Sequence, residues 1–342
     1  MKRQSLLGII ILITITLLFT NCKKDKEKSL LRVGFVTGVG SLYDGGFNLM
    51  AYTGALAAMD EINMTVDVKQ SQNTADIESN IRYFAENGFD VIISLGYDAA
   101  QPTYDLALQY PGTKFMMLDH TFTNVPSNMV CTTYKIDQAS FPCGFLAAYW
   151  AWSKNAGNPK VGFVAGPLIP SIEQFTTSFT FGLDYFNTKY NKSVDLSGYY
   201  SNSFSDTLQG AWMADSLIHK GAEVIFACAG KTGNGALYKV KERNKTGIGV
   251  DTDQFFSIPA AGPNLLTSCM KSLDVFVTTE LINIYNDAFH GGQTIQSTLA
   301  NQGVGLAPYH QYETLLPDSI KQAVTEIKAG IINGTISTGW PK

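Results

Sequence analysis

Few side chains in this sequence have the types and spacing that bond-breaking chemistry demands. Gly230-Lys231-Thr232 ends like a phosphate loop, but that loop needs a glycine five residues before Gly230, and the position holds Ile225. Gly38-Val39-Gly40 begins like a dinucleotide loop, but the third glycine position holds Tyr43. No HExxH or GxSxG run occurs. His120, His219, His290 and His310 are scattered, and no cysteines stand as CxxC, so no zinc framework is indicated. His120 adjoins Asp119 in the chain, but adjacent residues need not face each other. No catalytic residue, metal or cofactor follows from these patterns, and the chain reads as a non-enzyme. What remains is the chemistry of holding. Asp44, Asp119 and Asp251 accept hydrogen bonds only, when ionised, and suit a solute rich in N–H or O–H donors.

Those aspartates take their meaning from the elements that position them. Residues 31–36 form a short apolar strand, and 47–59 place Phe47, Met50, Ala51, Gly54, Ala55, Ala58 and Met59 at helical spacing. A strand at 66–70 and a helix through Ile77, Ile81, Phe84 and Ala85 follow, stopped by Asn87-Gly88. Residues 91–95 are continuously apolar, as in a parallel sheet covered on both faces. A helix at 98–109 and strands at 115–118 and 129–132 complete the block. The alternation then restarts, with helices at 138–152, 172–190, 206–220 and 235–243. Strands at 160–164, 194–200, 224–227 and 248–250 lie between and after them. A strand at 265–270 and helices at 273–289 and 317–333 end the chain. Two successive blocks of this kind predict an α/β protein with two doubly wound lobes. Asp44, Asp119, Gly230 and Asp251 fall at or just beyond strand ends, where open α/β sheets bind ligands.

The N-terminus predicts the compartment. Lys2 and Arg3 precede an uncharged stretch at 6–20, about 22 Å of helix against roughly 30 Å of hydrocarbon. Residues 1–21 therefore read as a signal peptide. Leu18-Phe19-Thr20-Asn21-Cys22 resembles a bacterial lipobox, so Cys22 is expected to be lipidated and to hold the protein at a membrane. Residues 22–30 then form the lipidated cysteine and its linker, with the tether Lys23-Lys-Asp-Lys-Glu-Lys28 free of apolar side chains. The stretch from 22 to the end exceeds the ~250–300 residues at which single cores split. Charged residues are only 16% and the net charge is −4, which argues against nucleic-acid binding. Cys131, Cys143, Cys228 and Cys269 read as buried free thiols.

Six segments, in order, resemble the basic membrane protein family of ABC-transporter solute-binding lipoproteins, which includes purine nucleoside receptors. Asp44-Gly-Gly-Phe47-Asn48-Leu-Met-Ala-Tyr52-Thr-Gly54 is similar to the family's D-x-x-F-N-x-x-x-aromatic-x-G. Phe115-Met-Met-Leu-Asp119, Gly144-Phe-Leu-Ala-Ala148 and Val161-Gly-Phe-Val-Ala-Gly166 resemble three further elements. Ile248-Gly-Val-Asp251-Thr-Asp253-Gln254 and Thr267-Ser268-Cys-Met-Lys271 resemble the family's I-G-V-D-x-D-Q and T-S-x-x-K. Gly45-Gly46 departs from the charged residue and serine expected there, which leaves solute selectivity open.

The resemblance implies a type I periplasmic-binding-protein fold, two Rossmann-like lobes joined by a hinge, with the chain returning to the first lobe late. On that reading residues 31–133 and about 252–295 form one lobe, and 134–251 with about 296–342 the other. The implied ligand is a nucleoside, a purine above all. Tyr52, Phe175 and Phe204 are expected to stack on the base, and Asp119 and Asn48 to read its edge, with Asp44 beside them. Asp251 and Lys271 resemble the residues the family sets at the ribose, and Gly230 would let backbone approach the sugar. The partners implied are that small molecule, an ABC permease and the membrane under the lipid anchor. The protein is expected to act as an extracytoplasmic monomer. A sugar or other polar solute, or a surface adhesin retaining the fold, are the alternative readings.

Overall fold

A computed structural model describes residues 28–341. The expected signal peptide, Cys22 and most of the tether lie outside the described residues. The first block runs β1 (Leu31–Val39), α1 (Phe47–Met59), β2 (Met64–Ser71), α2 (Thr74–Glu86), β3 (Val91–Leu95), α3 (Ala100–Gln109), β4 (Lys114–Leu118) and β5 (Met129–Tyr134). The second opens with α4 (Asp137–Lys154), β6 (Lys160–Ala165), α5 (Pro170–Tyr190), β7 (Asp195–Tyr200) and α6 (Thr207–His219). It continues with β8 (Val224–Cys228), α7 (Gly230–Glu242), β9 (Thr246–Asp251), α8 (Gln254–Ser257) and β10 (Leu265–Lys271). Last come α9 (Leu273–Tyr285), β11 (Gln293–Ser297), β12 (Val304–Leu306) and α10 (Asp318–Ile332).

Two six-stranded sheets result, ordered β11-β5-β4-β3-β1-β2 and β12-β10-β9-β8-β6-β7. All neighbours are parallel except the antiparallel β10–β12 pair. The orders are equivalent rank by rank, so β3 matches β8, β4 matches β9 and β5 matches β10. Every residue of β3 and of β8 is buried, because helices cover both faces of a parallel sheet. This is the two-lobed, doubly wound fold of the type I binding proteins that the alternation and the resemblance predict.

The chain crosses between sheets after β5, after β10 and between β11 and β12. The expected lobe boundary needs correction here. Residues 252–272 do not join the first lobe, because β10 is inserted in the second sheet beside β9, with Cys269 opposite Val250. Only then does α9 return to the first lobe, where Thr278 donates to the carbonyl of Gly54 in α1 (2.9 Å). β11 pairs with β5 in the first sheet, and β12 with β10 in the second. Hydrophobic period shows that a strand exists but not which sheet it enters.

In the second lobe α4 and α5 approach within backbone contact. A Cβ at Gly144 would collide with the Phe179 carbonyl, and one at Gly182 with the Phe141 carbonyl. The Ser140 hydroxyl also donates to the Phe175 carbonyl (2.6 Å). This clamp fixes the turn of α5 that carries Ile172 and Phe175. Replacing Gly182→Ala is expected to lower stability by about 1–3 kcal/mol through overpacking. A urea titration would read this as a lower midpoint at unchanged slope, and an unchanged midpoint would show that the helices can part without cost.

Candidate functional site

The strand ends of the two sheets face one another across a cavity of about 790 Å³, partly open to solvent. The first lobe lines it with the end of β1 and the turn that follows (Gly38 to Ser41), the start of α1, the turn after β3 and Asp119 after β4. The second supplies Ile169, Ser171, Ile172 and Phe175 around the start of α5, with Phe204, Gly230, Lys231, Asp251 and Lys271.

Its floor is an ion cluster built from both lobes. Lys271, at the end of β10, is 4% exposed. Its Nζ donates to Asp119 Oδ2 at 2.7 Å and lies 4.0 Å from Asp251 Oδ1. Asp119 directly follows β4 and Asp251 ends the equivalent strand β9, and both adopt left-handed backbone, with φ of 62° and 67°. Aspartate tolerates that region better than most residues, and the turn carries each carboxylate off its strand toward the ammonium. Burial works against the Lys271 charge, but Asp119 and Asp251 outweigh it and hold the ammonium above its usual pKa. Burial also lifts the Asp251 carboxyl from 3.8 to about 7. Lys271 opposes that rise, while Asp44 and Asp119 add to it. Asp251 gains only a 4.0 Å charge contact, since the short hydrogen bond goes to Asp119. The Lys271 ammonium also sits over the rings of Phe175 (5.0 Å) and Phe47 (5.3 Å).

Two expected ligand contacts are occupied within the fold. The Asp44 carboxylate accepts from the backbone of Gly46 (2.9 Å), Asn48 (2.9 Å) and Leu49 (3.2 Å), closing the start of α1. Burial raises its pKa in spite of these bonds. Asn48 accepts from Gly38 N–H (2.9 Å) and donates to the Ser41 carbonyl (3.3 Å), which folds the β1 turn against α1. Both line the cavity, but through groups already engaged.

Tyr52 is the clear correction. It does not line the cavity; its ring meets Phe35 edge-on at 5.5 Å, on the packed face of α1. Phe47, five residues earlier and about 140° away around the helix, lines it instead. Phe175, Phe204 and Gly230 all line it, with Gly230 at φ +53° in the first turn of α7 against the Phe204 carbonyl. That helix begins five residues before the sequence pattern starts, and it carries Lys231 to the cavity. Tyr97, Asp98, Ser171 and Lys231 are lining residues that sequence reasoning did not select. Phe47 stood within a quoted motif and Lys231 within the failed phosphate loop.

The lobes also touch directly. Asn234 donates to the Asp44 carbonyl (2.6 Å), and Ser257 Oγ (2.6 Å) and Gln254 Nε2 (3.2 Å) donate to the Gly45 carbonyl. Gly45 has φ +68°, which aims that carbonyl at the second lobe with little strain for glycine.

Residues 31–339 match the sequence model of the Bmp family, described as ABC transporter substrate-binding protein PnrA-like. An uncharacterized lipoprotein of Pyrococcus abyssi is 29% identical over 84% of this chain and 70% of its own length. Basic membrane protein A1 of Borrelia garinii subsp. bavariensis is 26% identical over 95% of this chain and 94% of its own. A crystal structure of an ABC transporter solute-binding protein from Aeropyrum pernix K1 superposes with a TM-score of 0.84 at 25% identity. It covers 90% of this chain and 92% of its own. Among the described residues no helix is long and apolar enough to cross a membrane.

The raised Asp251 carboxyl has a measurable consequence. Its folded pKa lies above its ordinary one, so the folded state keeps a proton that the unfolded chain has lost. Its contribution is therefore most favourable at low pH and is lost as pH rises from about 4 to about 7. Thermal melts of the unliganded protein between about pH 5 and 8 should show this decline, and Asp251→Asn should reduce it. Parallel profiles for the two proteins would exclude Asp251 as its source.

Proposed function

The chain belongs to the PnrA-like family of ABC transporter substrate-binding proteins, and from that premise we propose that it captures a nucleoside, a purine nucleoside above all, between its lobes. The observation that carries this reading is the cluster of one ammonium and two carboxylates on the floor of a cavity with aromatic walls. A ribose offers hydroxyls that donate to carboxylates and accept from an ammonium, which suits Lys271 and Asp251; the 2.7 Å bond to Lys271 draws Asp119, expected at the base edge, to the same floor. Among the described residues the Asp119 and Asp251 carboxylates meet no protein donor beyond Lys271, and both line the cavity, so a bound hydroxyl would lessen the cost of their burial. Phe47, Phe175 and Phe204 supply flat apolar surface for a base, and stacking of this kind contributes about 1–3 kcal/mol per base.

Asp119 comes from the first lobe and Asp251 and Lys271 from the second, so a ligand on this floor touches both lobes only when they are together. Such a ligand stabilises the closed state by its differential contacts. The Asn234–Asp44 and Ser257–Gly45 bonds would then form part of the closed surface presented to an ABC permease. Lipidation of Cys22 would keep the protein at the membrane where that permease sits. No step in this cycle requires a covalent intermediate.

Isothermal titration with adenosine, guanosine and inosine tests the assignment, with D-glucose and D-ribose as controls. At least one nucleoside is expected to bind at about micromolar Kd or tighter. Asp251→Ala should weaken it by at least about tenfold, the scale of one lost hydrogen bond to a charged group. Absence of any nucleoside binding at about 1 mM, or tighter binding of a free sugar, overturns the assignment.

A further inference from the structure

Two charged side chains at the cavity mouth, Asp98 and Lys231, stand apart from the ion cluster on its floor. Asp98 lies three residues past the end of β3, and Lys231 three residues past the end of β8. β3 and β8 hold the same rank in their sheets, so the two residues occupy equivalent positions on opposing lobes. Both line the cavity. Asp98 is exposed and Lys231 half-buried, whereas the floor residues Lys271 and Asp251 are buried. The other cavity charges are committed: Asp44 to α1, Asp119 to Lys271, and Asp251 beside that ammonium. Among the described residues neither Asp98 nor Lys231 lies within 4.0 Å of an opposite charge, including each other. The neighbouring Thr232 is spent on structure, donating to the Ser203 carbonyl (2.9 Å) and accepting from Asp206 N–H (3.0 Å). Lys231 is thus the cation of the Gly230-Lys231-Thr232 run that faces the cavity.

We propose that Lys231 and Asp98 read the edge of the base and select a 6-oxopurine nucleoside, guanosine foremost; this rests on the nucleoside reading above. With the ribose on the polar floor, the base extends toward the mouth where these two charges stand. An ammonium only donates and a carboxylate only accepts. Guanine presents O6 and N7 as acceptors, and N1–H and the 2-amino group as donors. Lys231 takes the O6 side and Asp98 the N1–H and 2-amino side, so each charge meets its complement. Hypoxanthine keeps O6 and N1–H but loses the amino donor. Adenine places an amino donor where Lys231 needs an acceptor, which leaves two donors facing each other. Rejection by unpaired polar groups of this sort discriminates more strongly than a difference in size.

Titration of the full chain with guanosine, inosine and adenosine tests the proposal. The expected order of affinity is guanosine, then inosine, then adenosine. Lys231→Met should lower the guanosine-over-adenosine ratio by about tenfold, the equivalent of one charge-assisted hydrogen bond. Asp98→Asn should lower the guanosine-over-inosine ratio, because it weakens acceptance from the 2-amino group. Adenosine binding as tightly as guanosine, or a Lys231→Met variant that weakens all three alike, overturns the proposal. The second result would identify Lys231 as a latch between lobes. In both of those cases nucleosides still bind, so the failure is distinct from loss of the nucleoside reading, in which none of the three binds to the unaltered protein.

Discussion

A single buried ammonium organises this molecule. Taking a charge the size of the Lys271 head group out of water costs several kcal/mol unless opposite charge lies close by. Here the opposite charge comes from two places at once: Asp251 on the adjacent strand of the same sheet, and Asp119 on the other lobe. The first lobe thereby completes an electrostatic environment that the second begins. Both carboxylates reach the ammonium through left-handed turns at equivalent strand ends, so the sheet frame sets the cluster's position. One cation between two carboxylates leaves negative charge in excess, and burial answers it by raising the Asp251 pKa. A donor-rich solute would answer the same excess in another way.

The surrounding packing holds that cluster to a narrow geometry. Glycines 144 and 182 let α4 and α5 meet at backbone distance, which pins Phe175 over the Lys271 ammonium. Asp44 and Asn48 spend their side chains on the start of α1 and the turn after β1, which sets Phe47 on the opposite wall. The Asp44 and Gly45 carbonyls then accept hydrogen bonds from the second lobe. Helix capping, wall placement and lobe contact therefore meet in one short segment. A change in that segment touches local structure and closure together, so its variants cannot be read as ligand contacts alone.

Two misreadings of the sequence show where periodicity stops. Tyr52 sits at the aromatic position of a quoted motif, yet α1 turns it onto Phe35 and brings Phe47 to the cavity. A helix presents several faces, and only its neighbours decide which one meets the ligand. β10 has the apolar content of any interior strand, and that content does not distinguish a place beside β9 from one in the first sheet. The Asp44 carboxylate is taken up by the backbone N–H groups of Gly46, Asn48 and Leu49, an engagement that its place in the motif does not reveal.

By itself the sequence determined the alternation of strand and helix, the two-lobed class and the placement of acidic residues at strand ends. It could do so because each depends on short-range pattern: apolar period, turn residues, and the rule that strand ends bind. Only the tertiary structure decided that Asp119, Asp251 and Lys271 share one floor, across 152 residues of chain between Asp119 and Lys271. It alone brought Asp98 and Lys231 to matching rims. Those outcomes depend on sheet order and on the approach of two separately folded lobes, and no local spacing encodes either.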